Sequence, residues 1–283
     1  MDENTPTKIE NKSHWSFRIV FYWILAFAIT AGSAYYQRLT GPTYPESGAA
    51  SFQGKEIKYK FDRSCDTSKL VKVKLENIDT GIKGYIEYRR YDTKDDKTLV
   101  EMKYENGTLT GEFPAEKDKV YKTPAQKFEY KVLVLKDDQK TEIPSNPVVL
   151  RYKGDVPMIV LIIHIILIFT AMLVSTRAGF EFFNKEPNFK KFALWSLGLI
   201  TIGGMILGPV VQKFAFGELW TGIPFGIDLT DNKTLIAWII WIATTIQVYR
   251  GKNPRKWILI ASLVTLIIFS IPHSVMSGNT PNS

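Results

Sequence analysis

The sequence predicts a membrane α-helical bundle of about five transmembrane helices, with an all-β domain inserted after the first helix. Five apolar segments are long enough to cross a hydrocarbon core of about 30 Å, and they lie at residues 16–36, 156–176, 192–211, 234–249 and 257–271. Residues 45–153, between the first two segments, are polar. Because their backbone groups would lack hydrogen-bond partners in hydrocarbon, we expect them to fold on one side of the membrane.

The first apolar segment follows a polar tail at residues 1–15, which we predict to be cytoplasmic. Its basic start and the small residues Gly32, Ser33 and Ala34 also fit a cleaved signal peptide, which would leave four spans. Its length, and the presence of Tyr22 and Trp23, favour an uncleaved anchor.

Basic residues in the short loops predict the orientation of the spans, since they collect on the cytoplasmic side. Three groups lie on the side of the N-terminus: Lys8, Lys12 and Arg18; Arg177, Lys185, Lys190 and Lys191; and Arg250, Lys252, Arg255 and Lys256. On the other side, the loop between the third and fourth spans has only Lys213 and Lys233, and no basic residue follows His273. We therefore expect the inserted domain and the tail at residues 273–283 to be extracytoplasmic, and the chain to be a bacterial inner-membrane protein.

The inserted domain has the alternation of apolar and polar residues that is typical of β-strands. Strands are predicted at residues 57–61, 71–75, 85–91, 98–104, 108–113, 128–132 and 147–152. Turn residues separate several of them, including Asn106-Gly107 and Asp137-Asp138. About seven short strands in roughly 100 residues predict a sandwich of the immunoglobulin or fibronectin type III kind.

The composition of the inserted domain excludes several classes of function. Residues 41–155 carry 22 Lys and Arg against 20 Asp and Glu, so the excess of basic residues lies at the span ends, which does not indicate nucleic acid as a partner. The domain contains no histidine and therefore no Ser-His-Asp set. Cys65 is the only cysteine, which excludes an intramolecular disulfide.

Two histidines belong to the predicted spans, where ionisable residues usually face the bundle interior. His164 lies in the second span and His273 follows the fifth, both on the side of the inserted domain. They are candidate axial ligands of a b-type haem, because imidazole is a common axial ligand and helical bundles offer inward-facing sites. A proton or ion pathway, and structural hydrogen bonds between helices, are the alternatives.

The predicted outer loop at residues 209–233 is rich in both aromatic residues and glycine. It is too apolar to extend freely into water, so we expect it to lie at the membrane interface or beneath the β domain. Its carboxylates Glu218, Asp228 and Asp231 are a candidate site for a cation or a partner. Thr230 or Asp231 also makes an ordinary N-cap for the fourth span.

Four segments together resemble a family of uncharacterised bacterial inner-membrane proteins with an extracytoplasmic β-sandwich insert. They are residues 40–45 (TGPTYP), 175–179 (STRAG), 224–233 (PFGIDLTDNK) and 271–274 (IPHS). The resemblance covers most of the chain and implies a bacterial cell envelope. The family has no established activity, so the resemblance implies no catalytic or binding residues.

Three functions fit these observations. The first is a non-enzymatic scaffold or interaction protein that anchors the β domain and meets a membrane or extracytoplasmic protein partner. The second is an electron-transfer protein that binds haem b through His164 and His273. The third is a small transporter subunit, although the odd number of spans and the lack of a visible internal repeat disfavour it.

Overall fold

The computed structural model describes residues 17–113 and 126–272. The two predicted tails, at residues 1–15 and 273–283, lie outside the described residues, and so does His273.

The described helical part comprises six α-helices, one 3₁₀ turn and one π-helical segment. Their bounds are α1 Phe17–Thr40, α2 Met158–Gly179, a 3₁₀ turn Phe180–Phe183, α3 Phe189–Ile200, a π-helical segment Thr201–Ile206, α4 Leu207–Phe216, α5 Leu229–Tyr249 and α6 Pro254–Ser270. Local signals explain several ends. Asn188 accepts a hydrogen bond from the backbone N–H of Lys191 as the N-cap of α3, and Gly217 ends α4 in the left-handed conformation with φ 88°.

Within the described residues, three helices are long and apolar enough to cross a membrane: Phe17–Thr40, Met158–Phe183 and Phe189–Phe216. The last of these joins α3, the π-helical segment and α4. It continues through Pro209 to Phe216, whereas the third span was predicted to end at residue 211. Proline has no backbone N–H to donate, and the π-helical segment lies just before Pro209. The non-helical loop is therefore residues 217–228, shorter than the predicted 209–233.

The shorter helices α5 and α6 pack into the same bundle. Side chains from α2, α3, α5 and α6 form one buried apolar cluster that includes Ala171, Ile200, Trp241 and Ala261. At its centre the Trp241 indole, fully buried, donates a hydrogen bond of 2.9 Å to the Thr265 hydroxyl.

The described residues of the inserted domain form ten strands, more than the seven predicted. They are β1 Glu46–Phe52, β2 Lys55–Phe61, β3 Ser64–Asp66, β4 Val71–Glu76, β5 Lys83–Arg90, β6 Thr98–Glu101, β7 Lys103–Glu105, β8 Thr108–Phe113, β9 Gln126–Lys136 and β10 Gln139–Lys153. They form two open five-stranded sheets with the orders β1-β2-β4-β8-β7 and β3-β10-β9-β5-β6. Only the β3–β10 pair is parallel among the described strand pairs.

The two sheets share one apolar core. Apolar residues at alternate positions of β2 and β4 face those of β5, β9 and β10, and the rings of Phe61 and Tyr130 are 5.8 Å apart across the two sheets. The predicted strand 98–104 is divided, because the buried Met102 lies where the chain leaves one sheet for the other. The predicted turns are confirmed by positive φ at Asn106, Gly107 and Asp137.

The β domain is attached to the bundle at both of its ends. Residues 41–45 connect it to α1, and residues 154–157 connect it to α2. The backbone N–H of Gly154 also donates a 2.8 Å hydrogen bond to the carbonyl of Ala215 in α4. We call this side of the bundle the β-proximal end, and the opposite side the β-distal end.

Candidate functional site

The loop between α4 and α5 is held together by side chains of the first turn of α5. The Asp231 carboxylate is buried and accepts hydrogen bonds from the backbone N–H groups of Thr221 (2.6 Å) and Gly222 (3.0 Å). It also accepts one from the Thr221 hydroxyl (3.2 Å), which in turn accepts from the Gln212 amide (2.7 Å). Asp231 is therefore a structural acceptor that closes the loop onto α5.

Asp228, rather than Thr230 or Asp231, is the N-cap of α5. Its carboxylate accepts hydrogen bonds from the backbone N–H groups of Thr230 (2.8 Å) and Asp231 (3.0 Å). An acidic side chain at this position also interacts favourably with the helix dipole. The sequence pattern indicated an N-cap two or three residues further along the chain.

The candidate cation site at Glu218, Asp228 and Asp231 thus has two carboxylates that bind backbone N–H groups. Glu218 is exposed. Among the residues that the structure describes, no group of three or more His, Cys, Asp or Glu side chains is arranged to hold a metal ion. The cation site stays a prediction.

His164 lies on α2 beside the π-helical segment. Its Nδ1 is 2.9 Å from the carbonyl oxygen of Gly203, and because a carbonyl only accepts, Nδ1 carries the proton. In a neutral ring with this tautomer, Nε2 is the unprotonated nitrogen. Gly203 is needed here, since a Cβ at this position would lie 2.9 Å from the Cβ of Leu167. The predicted second ligand, His273, lies outside the described residues.

Two polar side chains donate hydrogen bonds to the last carbonyl groups of α6 and the residue after it, at the β-proximal end. The buried Lys233 amine donates to the carbonyl of Ile271 (2.7 Å). The Gln37 amide donates to Phe269 (2.8 Å) and to Ile271 (3.2 Å). Because the carbonyls at a helix C-terminus lack partners within the helix, these donors join α1 and α5 to the end of α6.

A buried ion pair at the β-distal end was not predicted from the sequence. The Arg177 guanidinium donates to Glu181 at 2.7 Å, and the two side chains are only 3% and 2% exposed. Glu181 also accepts from the backbone N–H of Asn188 at 2.7 Å. The spacing of four residues, with a carboxylate following an arginine at the end of an apolar helix, is the signal that could have indicated it.

Aromatic rings enclose the same arginine. Its guanidinium carbon lies 5.5 Å from the ring centre of Tyr22, 5.6 Å from that of Trp23 and 4.9 Å from that of Phe192. These rings come from α1 and α3, so cation–π contacts to one side chain of α2 join three helices. The arrangement stabilises the β-distal end of the bundle.

The outer face of the first β-sheet carries a line of exposed lysines, which we call the lysine row: Lys60, Lys74 and Lys103. Register places Lys74 and Lys103 on either side of Thr110. The pairing of Tyr59 with Leu75 places Lys60 directly across from Lys74. The backbones of neighbouring strands are about 4.8 Å apart. None of the three forms an ion pair with a described residue.

On the outer face of the second sheet, several charged side chains form ion pairs. Lys131 lies 2.7 Å from Glu142 and 3.3 Å from Glu87, and Lys97 lies 2.8 Å from Glu87. Partial burial opposes ionisation of Glu87, but the two lysines outweigh it and lower the pKa of that carboxyl. Like charges directly opposite each other destabilise a sheet, so the opposed Lys60 and Lys74 of the lysine row are a local cost.

Cys65 is a free, half-buried thiol on β3. Its Sγ lies 3.7 Å from the carbonyl of Lys69. Burial, with the nearby carboxylates Asp66 and Asp62, raises the pKa of this thiol. A raised pKa decreases the thiolate fraction, so Cys65 is not an activated nucleophile.

Comparisons of the chain with protein families, with curated proteins and with solved structures found no match.

Proposed function

We propose that the protein is a multi-pass inner-membrane protein of the bacterial cell envelope that presents its β domain outside the membrane as a binding or scaffolding module. In this proposal the domain is a sandwich of the immunoglobulin or fibronectin type III kind, which two packed and mostly antiparallel sheets support. The sequence resemblance to bacterial inner-membrane proteins supports the assignment to the cell envelope.

The proposal includes five crossings of the membrane. At 1.5 Å per residue, the 21 residues of α5 extend about 31 Å and the 17 residues of α6 about 26 Å. Their outward faces carry exposed apolar side chains such as Ile239 and Ile267. Both helices also share the buried cluster of α2 and α3, so a membrane around those helices would surround α5 and α6 too.

The observation that carries the proposed function is the attachment of the β domain at two points. Its first strand follows α1 after five residues, and its last strand precedes α2 by four. The hydrogen bond from Gly154 to Ala215 fixes the second connection against α4. A domain held in this way has a defined orientation, which suits a module that offers one face to a partner.

The lysine row supports a partner of acidic character. Opposed lysines repel each other, and a bound anionic group would remove that repulsion. Complementary charge also accelerates association between proteins. The partner in this proposal is therefore an extracytoplasmic or membrane protein with an acidic surface.

Site-specific photocrosslinking in native membranes tests this proposal. We place a photoreactive amino acid at Thr110, within the lysine row, and as a control at Lys140, which is exposed at the β9–β10 turn. We expect a protein adduct from position 110 only, and we expect Lys60→Glu with Lys74→Glu to abolish it. The proposal fails if position 110 forms no adduct, or if the adduct survives the charge reversal.

A second candidate function, electron transfer through haem b, is favoured by one feature of His164. Metal-ligating histidines usually donate their other ring N–H to a carbonyl or carboxylate. The bond from Nδ1 to Gly203 has this form and directs Nε2 away from it. An absorption spectrum of the detergent-purified protein tests the candidate: we expect a Soret band that shifts on reduction and that His164→Ala removes. A protein without a Soret band would exclude haem binding.

A further inference from the structure

The loop at residues 217–228, which we call the apolar loop, exposes large apolar side chains. Leu219 is 54% exposed, Ile223 59%, Phe225 81% and Ile227 83%. Isolated exposed apolar side chains are common on protein surfaces, but a contiguous group usually marks an interaction site. Exposure of this extent also means that the described part of the β domain does not cover the loop.

The apolar loop hides its own polar backbone. Six of its backbone N–H groups, between Thr221 and Asp228, donate to acceptors within the protein. Those of Thr221 and Gly222 bind the Asp231 carboxylate, and that of Ile223 binds the Asn232 side chain at 2.7 Å. A loop in water does not need such internal hydrogen bonds, because water accepts hydrogen bonds from exposed amides. A loop in an apolar medium needs these internal hydrogen bonds, since an unsatisfied backbone group is strongly unfavourable there.

The position of the apolar loop agrees with an apolar environment. The loop follows directly on α4, the last part of a 28-residue apolar helix, and leads into α5. Exposed apolar side chains continue from that helix into the loop, through Ile202, Ile206 and Phe214. The lipid-facing surface of the helix and the surface of the loop are therefore one continuous surface.

We propose that the apolar loop is embedded in the lipid leaflet next to the β domain, with Phe225 and Ile227 among the acyl chains. The occupant of this surface is lipid, and the carboxylate of Asp231 serves to make the loop backbone compatible with it. The inference goes beyond the proposed binding function and rests only on the membrane crossing of the helices. Of the two positions expected from the sequence, it selects the membrane interface over a place beneath the β domain.

Spin labels on single cysteines test the proposal in the full-length protein. Cys65→Ser removes the only native cysteine, and labels are then attached to Phe225→Cys and Ile227→Cys in phosphatidylcholine–phosphatidylglycerol liposomes. Two control positions are matched to each other in exposure: Leu99 in β6 is 56% exposed, and Ile166 in the middle of α2 is 58% exposed. Molecular oxygen partitions into lipid and a polar nickel chelate into water, so their collision rates with each label report its environment.

We expect labels at positions 225 and 227 to lose nickel collisions and gain oxygen collisions relative to position 99, as position 166 does. Nickel collisions equal to those at position 99 would overturn the proposal, because the loop would then lie in water. Protection from both reagents would also overturn it, because a protein surface would then cover the loop. If position 166 were accessible to nickel, the membrane crossing itself would be refuted, independently of the proposed binding function of the β domain.

Discussion

Removal of the charge of Glu181 is expected to destabilise the helical bundle strongly. In Glu181→Gln, the Arg177 guanidinium would remain 3% exposed but would lose its carboxylate partner. Breaking a buried ion pair in this way costs about 3–5 kcal/mol. Each kcal/mol shifts the melting temperature of a protein of this size by about 2–4 °C, so we expect a decrease of about 6–20 °C.

The tryptophans of this chain provide an assay specific to the bundle. All seven lie outside residues 41–155, and Trp23 contacts Arg177 directly. Thermal unfolding followed by tryptophan emission in detergent therefore reports on the helices and not on the β domain. Glu186→Gln is the matched control, because Glu186 is exposed in the connection between α2 and α3; its melting temperature should equal that of the unmodified protein.

The double variant Arg177→Met with Glu181→Gln decides whether the ion pair is the cause. It leaves no buried charge, so it should be more stable than the sum of the two single changes indicates. Gln still offers an acceptor to the backbone N–H of Asn188, which Glu181 binds in the structure. If the single changes are as mild as the control, or if the double variant shows no coupling, the reasoning is refuted.

Three further changes test other parts of the structure. Gly154→Ala would place a Cβ against a carbonyl oxygen of α4, so we expect faster proteolysis at residues 154–157, whereas Gly198→Ala, with open space around it, should have no effect. Glu87 has a lowered pKa, so its stabilising contribution is present above the pKa of a glutamate in the unfolded chain, about 4.3, and is lost as the pH falls below that value. Glu87→Gln should reduce this loss of stability at acidic pH in circular dichroism melts. Thr265→Val would leave the buried indole N–H of Trp241 unpaired, and should destabilise the bundle by about 1–3 kcal/mol in tryptophan-detected melts.

Each of these expectations has a contradicting result. Equal cleavage of the two alanine variants would show that the contact between β10 and α4 does not hold the domain. An unchanged pH dependence in Glu87→Gln would mean that its lysine partners contribute nothing to stability. An unchanged melting temperature for the valine variant would mean that the indole finds another acceptor.

The sequence by itself determined the features that depend on local periodicity. Apolar segments of sufficient length predicted the helices α1, α2 and the long helix from Phe189 to Phe216. A membrane-spanning helix needs a run of consecutive apolar residues, and such a run is visible in the sequence itself. Alternation predicted β2, β4 and β9. Turn-forming residue types predicted the reversals at Asn106 and Asp137, which positive φ confirms.

Only the tertiary structure decided the features that depend on residues distant in the chain. The break at Met102 places β6 and β7 in different sheets, and the alternation of a single strand cannot show which sheet it joins. The role of Asp231 depends on amides nine and ten residues away in a folded loop. The enclosure of Arg177 depends on rings from α1 and α3, and such partners are brought together by packing rather than by spacing.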